Sequence, residues 1–126
     1  MAGVNKVILI GNLGKDPELK FLEGNIAKVS FSLATSEYYK DKAGNRVEQT
    51  EWHNIVLWRS LAENAAKLLK KGAQIYVEGK LQTRQWTDKD GIKKNITEIV
   101  GESFNILQSR DKNTDNNEMG SGNLPY

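Results

Sequence analysis

The chain has 126 residues, with 18 Lys and Arg against 16 Asp and Glu, a formal net charge of +2. That is enough for one compact domain and a short tail, and the near-balance excludes a histone-like polycation while leaving room for a local basic patch. With no cysteine and a single histidine, His53, a disulfide scaffold, a thiolate zinc site, a cysteine nucleophile and a His-rich metal centre are excluded, and a Ser-His-Asp triad has no support.

The chain opens with a β-rich segment, Val4–Leu13, that stops at Gly14 before Asp16-Pro17. Glu18–Leu22 is a short strand candidate ahead of a Gly24-Asn25 turn. Ala27–Thr35 alternates, with Val29, Phe31 and Leu33 on one face and Lys28, Ser30 and Ser32 on the other. That period of two marks a half-buried strand. Lys40–Glu48 reads as a charged loop, and Thr50–Trp58 as the next strand. Ser60 and Glu63 have the spacing of a helix capping box. Leu61, Ala65, Leu68 and Leu69 follow as an apolar stripe, Lys70 and Lys71 are expected in the last turn, and Gly72 is expected to stop the helix. Gln74–Trp86 is a long strand, residues 88–91 a hairpin turn, and Ile92–Leu107 the returning strand.

Roughly five strands with one helix after the third long one predict an all-β protein with one helix. The order suggests a small closed or partly open barrel, a pattern that a five-stranded OB-fold barrel with long hairpins has and that other short-strand barrels share. Composition shifts at Gln108, where apolar periodicity ends. Residues 1–107 are therefore expected to fold, and residues 108–126 to form a disordered tail. No apolar run reaches the roughly 18 residues needed to span a bilayer, and no signal-peptide pattern opens the sequence, so a cytoplasmic location without membrane contact is expected.

Strand parity makes the chemical argument. In Thr50–Arg59, His53, Ile55 and Leu57 share one face, while Trp52, Asn54, Val56 and Trp58 share the other. In the strand after the helix, Ile75, Val77, Gly79 and Leu81 are expected to face inward. Tyr76, Glu78, Lys80, Gln82, Arg84 and Trp86 are expected to face outward. A tryptophan beside Arg84 and Lys80 is not explained by core packing. Tyr38 and Tyr39 stand at the mouth of the charged loop, beside Lys40 and Lys42.

Unpaired bases expose flat π faces on which aromatic rings stack at roughly 1–3 kcal/mol per base. Lys and Arg neutralise phosphates and release counterions. This mixture points to single-stranded nucleic acid bound with little sequence preference. The expected stackers are Tyr39, Trp52, Trp58 and Trp86. The expected phosphate contacts are Lys6, Lys42, Arg46, Arg59, Lys80 and Arg84, with Lys89, Lys93 and Lys94 weaker. A lone tryptophan is a core or interface residue by default, and a lone lysine is a solvated one; only the combination carries the argument. His53, on the inward face, reads as structural or as a subunit contact. Phe21, Phe31 and Phe104 read as core, and Asp88 and Asp90 as turn formers. The glycines form neither a GxGxxG nor a P-loop pattern, so no nucleotide cofactor is expected.

The segments GVNKVILIGNLGKDPEL, LATSEYYKDK, QTEWHNIVLW, LAENAAKLLKKG and QIYVEGKL followed by QTRQWTD lie in one order across roughly residues 3–107. In these blocks the chain resembles the bacterial replication-type single-stranded DNA-binding proteins. The resemblance implies an OB-fold, sequence-independent binding of single-stranded DNA, and a homotetramer around which the strand wraps. It implies service in replication, recombination and repair. The family's stacking positions fall on Tyr39, Trp52, Trp58 and Trp86, with Tyr39 where a Trp is common and Trp58 where a Phe is common. His53 falls where the family places a histidine near the subunit interface. Gln85 stands where a lysine is frequent, which removes one phosphate contact.

The family's tail usually ends in clustered acids and an apolar Pro-Phe tip that docks on replication and repair proteins. Here the last residues are Leu124, Pro125 and Tyr126, and the nearest acid is Glu118. The resemblance implies a partner-binding tip at Leu124, Pro125 and Tyr126 with reduced attraction for basic rims. Three alternatives compete with the leading reading. They are an RNA-binding or primosome-type OB module, a nucleic-acid-processing enzyme, and a structural oligomer whose tryptophans are buried between subunits. The enzyme lacks any metal-ligand cluster or placed nucleophile–base pair in the sequence, so non-enzymatic binding is expected.

Overall fold

The computed structural model describes residues 1–109, so the tail beyond Ser109, including the tip at Leu124, Pro125 and Tyr126, lies outside the described residues. The described elements are β1 (Val7–Leu13), β2 (Glu18–Leu22), β3 (Ile26–Lys40), β4 (Arg46–Trp58), α1 (Arg59–Leu68), β5 (Gln74–Thr87) and β6 (Lys93–Gln108). Their order in the sheet is β1-β5-β6-β4-β3-β2. A further pairing of β1 with β3, at Asn12 opposite Ala34 and Leu13 opposite Leu33, closes the sheet on itself. The barrel therefore has five strands, and β2 hangs outside it, paired only with β3. This is the expected architecture of β-strands with one helix.

The core follows from the alternation. Val29, Phe31 and Leu33 of β3, Ile55 and Leu57 of β4, and Ile75 and Val77 of β5 are buried in one cluster. Each such side chain removed from water stabilises the fold by about 1.5–3 kcal/mol. Helix α1 covers the cluster through Ala62 and Ala65, and Leu69 follows just past its end. The end of β1 is fastened to the turn after α1. There the Leu13 amide donates to the Ala73 carbonyl at 3.0 Å and the Gly72 amide to the Leu13 carbonyl at 2.8 Å. The Lys71 amide also donates to Asp16 Oδ1 at 2.7 Å.

Several expectations change. The helix begins at Arg59, with Trp58 at its N-cap and no side-chain capping bond, so Ser60 and Glu63 form no capping box. The strand passes directly into the helix through Arg59, whose φ of 59° is left-handed. That leaves no extended Ser60 to serve as a cap. The helix ends at Leu68, so Lys67 is its last-turn cation, and Lys70, Lys71 and Gly72 lie beyond it. Leu68 and Phe21 are exposed rather than packed. Phe21 lies on β2, which has a single partner strand and lies outside the barrel. Val56, assigned to the outer face, is buried, and Leu81, assigned inward, is exposed because β5 has left the barrel by that point.

The two hairpins are longer than alternation indicates. β3 and β4 pair without a break from Lys28 opposite Trp58 to Lys40 opposite Arg46, so Lys40 and residues 46–48 of the expected Lys40–Glu48 loop are strand. Only residues 41–45 turn. β5 and β6 likewise pair out to Thr87 opposite Lys93. β6 runs through Gln108, one residue past the expected boundary.

Both tips are built alike, from Asp-Lys-x-Gly. Asp41 Oδ1 accepts the amides of Ala43 and Asn45 at 2.9 and 2.8 Å. Asp88 Oδ1 accepts those of Asp90 and Ile92, both at 2.9 Å. Gly44 and Gly91 take φ of 86° and 80°, the left-handed position that a short hairpin loop needs and glycine fills without steric cost.

Candidate nucleic-acid interface

Register places the aromatic residues. Directly opposed residues of an antiparallel pair share a face. On the face carrying Trp52 and Trp58, β4 therefore meets β3 through Trp52–Ala34, Asn54–Ser32, Val56–Ser30 and Trp58–Lys28. Trp52 is 58% exposed and Trp58 is half-buried. Gly14 lies against the Trp52 ring: a Cβ there would come within 2.5 Å of it, so the ring would have to shift. Gly14 and Trp52, with Lys15 and Ser32, line a shallow open hollow.

A larger groove of about 310 Å³ lies beside it. Its floor is Ser30, Ser32, Asn54 and Val56 from the tryptophan face. One wall is Lys15, Asp16 and Glu18, and the other is Arg84, Ile96 and Glu98 from the β5–β6 hairpin. The outward faces of β4 and of the β5–β6 hairpin thus meet at one groove. Glu98 is only 9% exposed. The Arg84 guanidinium grips it with Nε at 2.9 Å and a second nitrogen at 3.2 Å. That hydrogen-bonded ion pair raises the Arg84 pKa above its ordinary value.

Three cations lie over aromatic rings. Lys28 Nζ is 5.4 Å from the centre of the Trp58 ring, Lys94 Nζ is 5.7 Å from that of Trp86, and the Arg46 guanidinium carbon is 4.0 Å from that of Tyr38. A ring face attracts a cation through its quadrupole. Trp86, 43% exposed, thus sits far out on the β5–β6 hairpin opposite Lys94.

The expected site residues do not all come together. Trp52, Trp58 and Arg84 converge on the groove and its margins. Tyr39 pairs with Val47 on the opposite face of the β3–β4 hairpin from Trp52, whereas Tyr38 pairs with Glu48 on the same face as Trp52. Lys42 stands at one hairpin tip and Lys80 is exposed on β5. Three expected phosphate contacts are already paired: Arg84 with Glu98, Lys6 with Glu78 at 2.8 Å, and the weaker candidate Lys94 with Asp88 at 3.4 Å. The hydrogen bond from Lys6, and a second from the Tyr76 hydroxyl, hold the Glu78 carboxyl below its usual pKa. The same contacts with Glu78 raise those of Lys6 and Tyr76. His53 is half-buried and hydrogen-bonded through Nε2 to Thr35 Oγ1 at 2.9 Å. Lys28, Tyr38 and Gly14 belong to this surface and were missed as site residues. The signal for Lys28 was its parity with Ser30 and Ser32, but its position against Trp58 needed the register.

Among the described residues, no cluster of His, Asp and Glu could hold a metal ion, and no helix is long and apolar enough to cross a membrane. Residues 4–107 match the single-strand binding protein family. A single-stranded DNA-binding protein of Neisseria meningitidis serogroup A is 46% identical over 98% of this chain and 67% of its own length. Single-stranded DNA-binding protein 1 of Xylella fastidiosa is 47% identical over 96% of this chain and 88% of its own. The Plasmodium falciparum single-stranded DNA-binding protein, solved with single-stranded DNA, superposes with a TM-score of 0.78 at 34% identity, over 86% of this chain and 98% of that one. A deletion mutant of the Thermus aquaticus protein gives 0.74 at 36% identity, over 86% and 52%. With that match spanning both the barrel and the tryptophan-bearing groove, the chain belongs to the single-strand binding protein family.

Proposed function

We propose that this chain binds single-stranded DNA with little sequence preference, and protects exposed strands during replication, recombination and repair. The observation that carries the reading is the pair of exposed tryptophans, Trp52 and Trp86, on faces that meet at one open groove. Its support from likeness is the Plasmodium falciparum protein, which shares the barrel and was solved with single-stranded DNA. Bases stack on Tyr39, Trp52, Trp58 and Trp86, and phosphates meet Lys42, Arg46, Arg59 and Lys80. Lys6 and Arg84 contribute only where DNA displaces their carboxylate partners. Residues 1–107 form the binding domain, and residues 108–126 a tail whose Leu124-Pro125-Tyr126 tip engages replication and repair proteins. The working form is a homotetramer with His53 near a subunit contact, and its action is binding rather than catalysis.

Tryptophan fluorescence titrated with oligo(dT) and with the matching duplex, at two salt concentrations, tests this. The expected result is strong quenching by the single strand, little response to duplex, and steep weakening by salt. Absence of quenching by both ligands would overturn it and favour an oligomer with buried tryptophans. Sedimentation of the free protein reads the oligomeric state in the same samples.

A further inference from the structure

At the margin of the groove, one row of side chains crosses three strands. Trp58 of β4 stands directly opposite Lys28 of β3, and Lys28 stands directly opposite Lys20 of β2. All three share the face that carries Trp52. Neighbouring strands lie about 5 Å apart, so the row spans about 10 Å. Lys28 Nζ leans over the Trp58 ring.

Two like charges directly opposite each other destabilise a sheet. Lys20 and Lys28 nevertheless have no carboxylate within ion-pair distance among the described residues, where the ion pairs are Lys6–Glu78, Arg84–Glu98 and Lys94–Asp88. Glu18, on the same face of β2, is the nearest candidate along the strand; it pairs across to Ser30 and lines the groove instead. The row therefore presents a ring that a base can take when Lys28 swings off it, and two ammonium groups without a carboxylate partner leading outward from it. β2 lies outside the barrel at the end of the sheet, and Lys20, at the far end of the row, is exposed.

We propose that Lys28 and Lys20 form a phosphate track that carries single-stranded DNA off the Trp58 ring and across the β2–β3 hairpin, outside the closed barrel. A base stacks on Trp58, the adjoining phosphate meets Lys28, and the next meets Lys20. Anion binding relieves the repulsion that the free protein bears. This inference rests on the DNA-binding reading and adds a segment of path to it.

The test measures oligo(dT) affinity of the full chain across a salt series by tryptophan quenching, for wild type, Lys20→Gln, Lys28→Gln, the double variant, Lys28→Arg and Lys67→Gln. Each track lysine removed should lower the slope of log affinity against log salt by about 0.7, so over a fourfold rise in salt the double variant loses about sevenfold less affinity than wild type. Lys28→Arg and Lys67→Gln should keep the wild-type slope. Lys20→Gln should also melt at or above the wild-type temperature at low salt, as relief of like-charge repulsion requires. A double variant with the wild-type slope, or a Lys20→Gln variant that melts lower, would overturn the track while leaving DNA binding intact. Wild type that oligo(dT) does not quench would remove the parent reading and the track together.

Discussion

Trp52 and Trp86 are large apolar side chains left in water, and their removal sacrifices little packing. Trp52→Ala and Trp86→Ala are each expected to weaken oligo(dT) binding by about 1–3 kcal/mol with little change in melting temperature. Unfolding or dissociation of either variant would show that the ring supports the fold or the assembly instead. Arg59 presents the opposite case. Its φ of 59° is a conformation that costs an ordinary side chain about 1–2 kcal/mol and costs glycine little. Arg59→Gly should therefore raise the melting temperature. If Arg59 meets a phosphate, the same variant should bind DNA more weakly and with a shallower salt slope, and thermal melts run beside the titrations separate the two effects.

At the scale of elements, the two long hairpins set the reach of the surface, and each tip depends on one aspartate. The Asp88 pKa is lowered chiefly by the hydrogen bond from the Ile92 amide, helped by the Asp90 amide and Lys94. A depressed carboxyl pKa contributes stability that is complete above the ordinary aspartate value of about 3.9 and is lost as pH falls through the lower folded value. The β5–β6 tip should thus stay ordered at pH 5 and loosen in acid below about pH 3.9. Amide exchange at Asp90 and Ile92 reads this directly. Asp88→Asn should leave both amides bonded and flatten the pH dependence, whereas Asp88→Ala should speed their exchange at every pH.

For the whole molecule, the expected division is between a barrel that holds DNA and a tail that does not. Deleting residues 108–126 should leave oligo(dT) affinity nearly unchanged while weakening capture of replication and repair proteins. Loss of DNA binding on truncation would refute the two-part organisation. The barrel also explains why the binding surface is one surface. Closure through β1 and β3 fixes the direction in which each hairpin leaves the barrel, and so Arg84 of β5 and Ile96 and Glu98 of β6 line one groove with the face of β4 that carries Trp52.

The period of two along β3 and β4, the turn residues at Gly24-Asn25 and at residues 88–91, and the paired parities of Trp52 with Trp58 and Arg84 with Trp86 are local properties. They could be read from the chain because side-chain alternation depends only on strand geometry. Local pattern also singled out the aromatic residues and most of the exposed cations. It could not show that Arg84 is held by Glu98 or Lys6 by Glu78, because those contacts join residues 14 and 72 positions apart. Nor could it exclude the capping box at Ser60, since the direct passage from β4 into α1 runs through a left-handed Arg59 that no local pattern marks. By itself, then, the sequence determined which residues alternate, where most of the turns fall and that Trp52 and Trp86 are not core, while Phe21, read as core, is exposed. Tertiary structure alone decided which of those rings and charges share a groove, because register and barrel closure are set by distant hydrogen-bonded partners.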